Sequence, residues 1–278
     1  MSSLRIVVDS TADLPPEVAA GLDITVVPCL LRFGNQSFRE GVDISRAEFL
    51  ARLRTDPYLP ATAAPAPGVF ENIYRQLASQ TDTIVSIHLT AQYSGIFNAA
   101  RLGAQAAADR VRVVAVDSSQ ISLGMGLMAL AAAEAARDGA SLQEVLSLLD
   151  GLKQRTHLFA IPETLDNLYR SGRINQLVAR LGTLLRIKPI LHVYQGEVTL
   201  QERVRSWGRA ERRLVEIVRS MAPLERVVLA HIQRLEAAEE LGRALSDVLP
   251  PQTFTSEAGV TISIHVGLGA AGIALVRA

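Results

Sequence analysis

Three short apolar runs, each cut off by a hydroxyl-bearing loop and followed by a helical pattern, constrain the first half of this chain. Leu4–Val8 stops at Asp9-Ser10-Thr11. Thr83–His88 gives way to Ala91-Gln92-Tyr93-Ser94-Gly95, and Val111–Val116 ends at Asp117-Ser118-Ser119. Runs of this length, rich in β-branched residues and lacking polar alternation, read as strands covered on both faces. Helical spacing appears over Pro67–Ala78, Ile96–Ala108 and Ile121–Arg137. The alternation predicts βαβ units around a parallel sheet. Ser45 with Glu48, and Ser141 with Glu144, have the spacing of capping boxes that open two further helices.

The texture changes near residue 155. Ile187–Val193 and Val198–Val204 flank Gln195-Gly196 and read as a hairpin. Val227–His231 and Thr261–His265 read as strands, with helices Ala210–Met221 and Leu235–Val248 between them. The fold class expected is α/β: a parallel-sheet βαβ domain over 1–155, then an α+β domain with a mixed or antiparallel sheet over 156–278, a ligand lying between them. The first domain carries a strand-rich insert around 24–42. Pro60–Pro67 reads as a linker. A length of 278 residues suits two domains at about 150 residues each.

Charge and cysteine content narrow the function classes. The chain has 28 basic and 28 acidic residues. A balanced net charge argues against a broad nucleic-acid surface, which must neutralise phosphates. Cys29 is the only cysteine, so no internal disulfide forms, a cysteine zinc site lacks its partners, and a reducing compartment fits. Ile121–Ala133 is the longest apolar stretch and falls short of the ~20 residues a membrane helix needs. The expectation is a soluble, cytoplasmic protein.

Familiar catalytic motifs fail on context. Gly267-Leu268-Gly269-Ala270-Ala271-Gly272 fits GxGxxG, but too little chain follows for the helix and acidic residue of a dinucleotide site. Gly124-Met125-Gly126-Leu127-Met128-Ala129 is a partial match that reads as close helix packing. GxSxG is absent. A hydrolase built on Ser94 and His265, with Asp9 or Asp117, is an alternative that spacing alone does not decide. The five histidines show no metal-ligand spacing.

The hydroxyl-bearing loops are more informative. Ser10 and Thr11, Thr90 and Ser94, and Ser118, Ser119 and Ser122 follow the three strands of the parallel half. In open α/β sheets the ligand crevice lies beyond the strands' carboxyl ends. Ser94-Gly95 opens a helix, whose free N–H groups favour an anion. Each serine alone also reads as an ordinary cap or turn residue. These loops carry no Lys or Arg, which fits a small anion better than a phosphate-rich ligand.

At this point the blocks become specific enough for a resemblance. Val7-Val8-Asp9-Ser10-Thr11-Ala12-Asp13-Leu14-Pro15 resembles the opening block of the DegV family. Val27-Pro28 with Glu40-Gly41-Val42-Asp43 is similar to its second block. Pro60–Pro67 resembles PTTSQPSP, and Tyr93-Ser94-Gly95-Ile96-Phe97 resembles LSGTY. Leu168–Ile174 with Lys188-Pro189-Ile190-Leu191 looks like LxxGGRI and KPIL, and His265–Gly272 looks like HTGPGALG. The ordered set spans nearly the whole chain.

The resemblance implies a non-catalytic carrier that holds one long-chain fatty acid between two domains. It implies no metal and no cofactor. By position, Thr62, Ser94 and His265 are the carboxylate-binding residues, with Ser10, Thr11, Gly95, Ser118 and Gly267 in supporting loops. It further implies a partner, the ATP-using subunit of fatty acid kinase, which phosphorylates the presented carboxylate and which Arg173 would meet. It allows transient membrane contact without stable insertion. The chain departs from the family pattern at Ala61, Ala63, Ala64 and Ala66, at Thr90-Ala91, and at Val266 and Leu268, where polar residues or proline are usual.

Overall fold

A computed structural model describes residues 4–55, 60–173 and 187–278. Its first sheet contains β1 (Arg5–Asp9), β2 (Thr25–Val27), β6 (Thr83–His88) and β7 (Arg112–Asp117), in the order β2-β1-β6-β7 and parallel throughout. Alternation explains why both faces are apolar. Ile6 and Val8 pack toward a helix, Leu123–Arg137, whereas Val7 packs with Phe70 and Tyr74 on the opposite side.

The second half builds a six-stranded mixed sheet. It contains β8 (Thr156–Ile161), β9 (Lys188–Tyr194), β10 (Glu197–Val204), β11 (Leu224–His231), β12 (Phe254–Glu257) and β13 (Ala271–Arg277). The order is β10-β9-β8-β13-β11-β12, antiparallel except for the β11–β12 pair. Gln195 and Gly196 close the expected hairpin with φ of 49° and 84°, the left-handed pair that a tight two-residue turn needs. Helices Trp207–Ser220 and Leu235–Ala244 cover one face. The other face packs on the Leu123–Arg137 helix, in which every residue from Leu123 to Ala133 is buried. This helix thus lies between the two sheets and takes its apolar surface to both. Its glycines permit close approach: a Cβ on Gly126 would stand 2.6 Å from the Ala12 carbonyl oxygen. The 155/156 junction is where helix Leu142–Arg155 runs into β8.

The strand-rich insert forms a third, antiparallel sheet of β3 (Leu30–Phe33), β4 (Gln36–Arg39) and β5 (Ala61–Ala63), in the order β4-β3-β5. Both capping boxes form. Ser45 and Glu48 exchange backbone and side-chain hydrogen bonds, as do Ser141 and Glu144.

The structure differs from the sequence expectation in three places. Pro60–Pro67 is not a linker, because Ala61–Ala63 pairs with β3 and sets Thr62 opposite Leu31. Strands also form where no element was expected, at β8, at β12 and, from Ala271 onward, at the central strand β13. Thr261–His265 is not a strand but part of the helix Val260–Val266. Its β-branched residues favour extended backbone in isolation, but tertiary partners override that preference. Asp13 accepts from the Gly259 N–H at 2.8 Å and Glu40 from the Thr261 N–H at 3.0 Å, so donors at the helix start are satisfied from the other half of the chain.

Candidate functional site

The loops after β1, β6 and β7 emerge at one edge of the parallel sheet and face the six-stranded sheet. Between them is a cavity of about 260 Å³. Most of its wall is apolar, with Leu158, Leu191, Val193, Val198, Ile121 and Ile262 from both halves. Thr62, Ser94 and His265 also line it. Thr62 is presented by β5 and His265 by the last turn of the Val260–Val266 helix, and they meet with Thr62 Oγ1 2.9 Å from His265 Nε2. Ser94 stands just before helix Ile96–Ala106, where its Oγ accepts from the Ile96 N–H at 3.3 Å.

Following each hydroxyl proton separates the scaffold from the groups left to bind something. Thr11 lines the cavity but donates to Asp9. Ser122 donates to Asp13, and Thr261 donates to Glu40 at 2.7 Å. Ser94 accepts through its oxygen and has no acceptor for its proton among the described residues. The Thr62–His265 pair also retains one donor. If Thr62 donates to Nε2, the Nδ1–H remains; if Nε2–H donates, the Thr62 hydroxyl proton remains. His265 Nδ1 is buried and has no partner among the described residues. The cavity thus offers unspent protons at Ser94, at Tyr93, whose oxygen accepts from the Val198 N–H, and at the Thr62–His265 pair, and His231 lines it with Nδ1 unpartnered among the described residues.

Electrostatics fix the character of those donors. Burial pushes His265 down to about 4, and the positive charge of Arg173 pushes in the same direction. The imidazole is therefore neutral at pH 7. Arg173 lines the cavity yet is exposed, and it donates to the Ser171 carbonyl. Neutral donors in an apolar chamber suit one small anionic head attached to a hydrocarbon body.

This pairing of a parallel four-stranded sheet with a mixed six-stranded sheet has counterparts among known proteins. The model of the DegV family, described as uncharacterised proteins, matches residues 3–278. The chain belongs to the DegV family. A DegV domain-containing protein of Deinococcus radiodurans is 36% identical over 277 residues, 98% of each chain. A DegV family protein from Thermus thermophilus, solved under a heading of fatty acid binding, aligns over 100% of both chains with a TM-score of 0.91 and 30% identity. DegV of Bacillus subtilis, described as a fatty acid binding protein, aligns over 100% of both chains with a TM-score of 0.90 and 29% identity.

In this DegV chain the remaining sequence-derived residues divide by position. Thr11 and Gly95 line the cavity with Thr62, Ser94, His265 and Arg173. Ser10, Ser118 and Gly267 lie outside the lining. Ser10 donates to Glu40 at 2.7 Å and accepts from the Cys29 N–H at 3.0 Å. The Ser118 hydroxyl bonds to the backbone of Gln120 in its own turn, and its N–H donates to the His88 carbonyl at 3.0 Å. Gly267 ends the His265 helix with φ of 88°. Tyr93 and Cys29 line the cavity without having been singled out. Tyr93 stood beside Ser94 in the sequence, whereas nothing in the chain distinguished Cys29 from a core residue.

The hydrolase alternative does not find its geometry. His265 is bonded to Thr62 rather than to Ser94. Asp9 is occupied by His88 Nδ1 at 2.9 Å and by Thr11. Asp117 caps the Ala91 and Ser119 N–H groups at 3.0 and 2.8 Å. No carboxylate orients His265 among the described residues, so Ser94 lacks the base and orienting group that a triad requires. Among the described residues no group of three or more His, Cys, Asp or Glu could hold a metal ion.

Proposed function

We propose that this protein binds one long-chain fatty acid, its tail in the apolar cavity and its carboxylate on Ser94 and the Thr62–His265 pair. The observation that carries this reading is the set of unspent neutral donors in a wall that is mostly apolar. Burying about 15 methylenes at ~0.8 kcal/mol each would contribute on the order of 12 kcal/mol before ordering costs. The tail then supplies most of the affinity. The polar end has to satisfy a carboxylate that would be costly to bury unpaired.

The protein is on this reading a carrier without turnover of its own. It presents the carboxylate to a separate fatty acid kinase subunit. There a carboxylate oxygen attacks the γ-phosphorus of ATP, the bond to the bridging oxygen breaks, and acyl phosphate and ADP result. Neutral donors support this role, since a bidentate arginine fork would compete for the attacking lone pairs. Arg173, exposed in the cavity lining, is suited to meet the kinase. Such a protein works in the cytoplasm and touches membranes only transiently. Among the described residues no helix is long and apolar enough to cross one.

Native mass spectrometry of protein purified from bacteria tests the reading. The expected result is a bound mass in the fatty-acid range and a higher melting temperature on adding oleate. Thr62→Ala and Ser94→Ala should each weaken retention about 10- to 100-fold, the cost of removing one donor to a buried charge. Arg173→Ala should lower kinase-coupled acyl phosphate formation and leave binding intact. An empty protein that gains no stability from oleate or palmitate overturns the proposal.

A further inference from the structure

Tyr93 is a cavity-lining residue whose hydroxyl reaches from one half of the chain to the other. It lies in the loop after β6, next to Ser94. Its phenolic oxygen accepts from the Val198 N–H at 2.9 Å. Val198 lines the cavity too, and it sits on β10, the edge strand of the six-stranded sheet. An edge strand carries N–H groups that no neighbouring strand can use, and one set in an apolar wall needs another acceptor. Tyr93 supplies it. The contact is part of a longer seam. At the hairpin tip the Gly196 N–H donates to the Ser119 carbonyl at 2.8 Å, and a Cβ on Gly196 would stand 3.2 Å from Thr90 Oγ1. The loops after β6 and β7 are thereby fastened to the β9–β10 hairpin along one side of the cavity.

We propose that Tyr93 is a positioning residue that straps the Ser94 loop to the edge strand, and that the seam it closes sets how long the acyl chain stays in the cavity. The second half of this statement rests on the fatty-acid reading, whereas the strap itself does not. Burial raises the phenol above its ordinary range, so it stays a neutral hydroxyl and the bond persists through neutral pH. Like Ser94, it accepts through its oxygen and keeps its proton; what sets it apart is that the N–H it accepts belongs to the opposite half of the chain. The Tyr93 oxygen holds the wall against which the ligand lies.

Tyr93→Phe removes the strap and keeps the ring. Two measurements test it on the full chain: stopped-flow release of cis-parinaric acid, and hydrogen exchange at the Val198 amide. The variant is expected to release the probe about five- to tenfold faster, the size of one neutral hydrogen bond. Protection of Val198 should fall by a similar factor while amides in β13 keep theirs. Tyr93→Leu, which also removes the ring, should release faster still. Wild-type release with undiminished Val198 protection in Tyr93→Phe overturns the proposal. A wild-type protein that takes up no cis-parinaric acid overturns the fatty-acid reading and the residence role with it. Val198 exchange then judges the strap alone.

Discussion

The polar end of the cavity is decided by single protons. Six hydroxyl side chains border the chamber among the described residues, and three of them, Thr11, Ser122 and Thr261, bond to Asp9, Asp13 and Glu40. What remains is Ser94, Tyr93 with its oxygen held by Val198, and a threonine–histidine pair with one proton to spare. His265 makes the sharpest residue-level test. Without ligand, burial holds it down at about 4. The unfolded chain's histidine would take a proton near 6.5. The unfolded state therefore binds the proton first, and His265 subtracts stability as the pH falls from about 6.5 toward 4. A carboxylate arriving beside the ring favours the charged form and opposes the effect of burial. Saturating oleate should move the His265 ring resonances to a higher titration midpoint, read by NMR on selectively labelled protein. A midpoint that stays put would mean that the carboxylate binds elsewhere. The three head-group candidates were legible in the sequence because they sit in short, recognisable blocks. Which hydroxyls were already spent was not, since Glu40 and Thr261 are 221 positions apart and meet only in the folded chain.

At the scale of elements, the Val260–Val266 helix shows what local pattern cannot deliver. The stretch Thr261–His265 has the look of a strand, and its helical state depends on Asp13 and Glu40 reaching its first turn from the other half. Elements with a clear run or cap were readable: Thr83–His88 as a whole, and the starts of the two capping-box helices. Strands β8, β12 and β13 were not, because no turn signal or clean alternation marks them off in the sequence. The clamp also has a pH signature. Burial foremost, then the neighbouring charge of Glu40, pushes Asp13 up to about 8, against the hydrogen bond from Ser122. The unfolded carboxyl ionises near 3.8 while the folded one keeps its proton to about 8. The folded state thus holds the extra proton, and Asp13 makes stability fall as pH rises between those values. Asp13→Asn keeps an acceptor for the Gly259 N–H and cannot ionise, while its NH2 faces Ser122, whose hydroxyl must then accept instead of donate. Urea midpoints at pH 5, 7 and 9 should show the variant gaining on wild type as pH increases. Parallel curves for the two proteins would refute the clamp's titration.

The molecule as a whole is organised by the Leu123–Arg137 helix. The sequence shows it as a helix with closely packed glycines and a run too short for a membrane span, and its eleven successive buried residues require apolar partners all round. One face packs on Ile6, Val8, Val85 and Ile87 of the parallel sheet, and another meets Leu158, Val228, Ala274 and Val276 of the mixed sheet. A single core therefore continues across the 155/156 junction that chain order suggests as a boundary. The cavity opens beside this helix, where Ile121 and Ser122 lead into it, so the chamber's two walls are held in register by shared packing. A fragment ending at residue 155 would leave the second face of the helix in water, a large apolar patch on an otherwise folded lobe. Such a fragment is expected to be loosely packed and protease-sensitive, and the full chain to melt in one calorimetric transition whose van't Hoff and calorimetric enthalpies agree. Ligand should shift that one transition upward as a unit. At a hundredfold excess over Kd the linkage is about 2.7 kcal/mol, or roughly 5–10 °C at the 2–4 °C per kcal/mol typical of larger domains. Two resolved transitions, only one of them moved by oleate, would show that the lobes fold separately and that the cavity belongs to one of them.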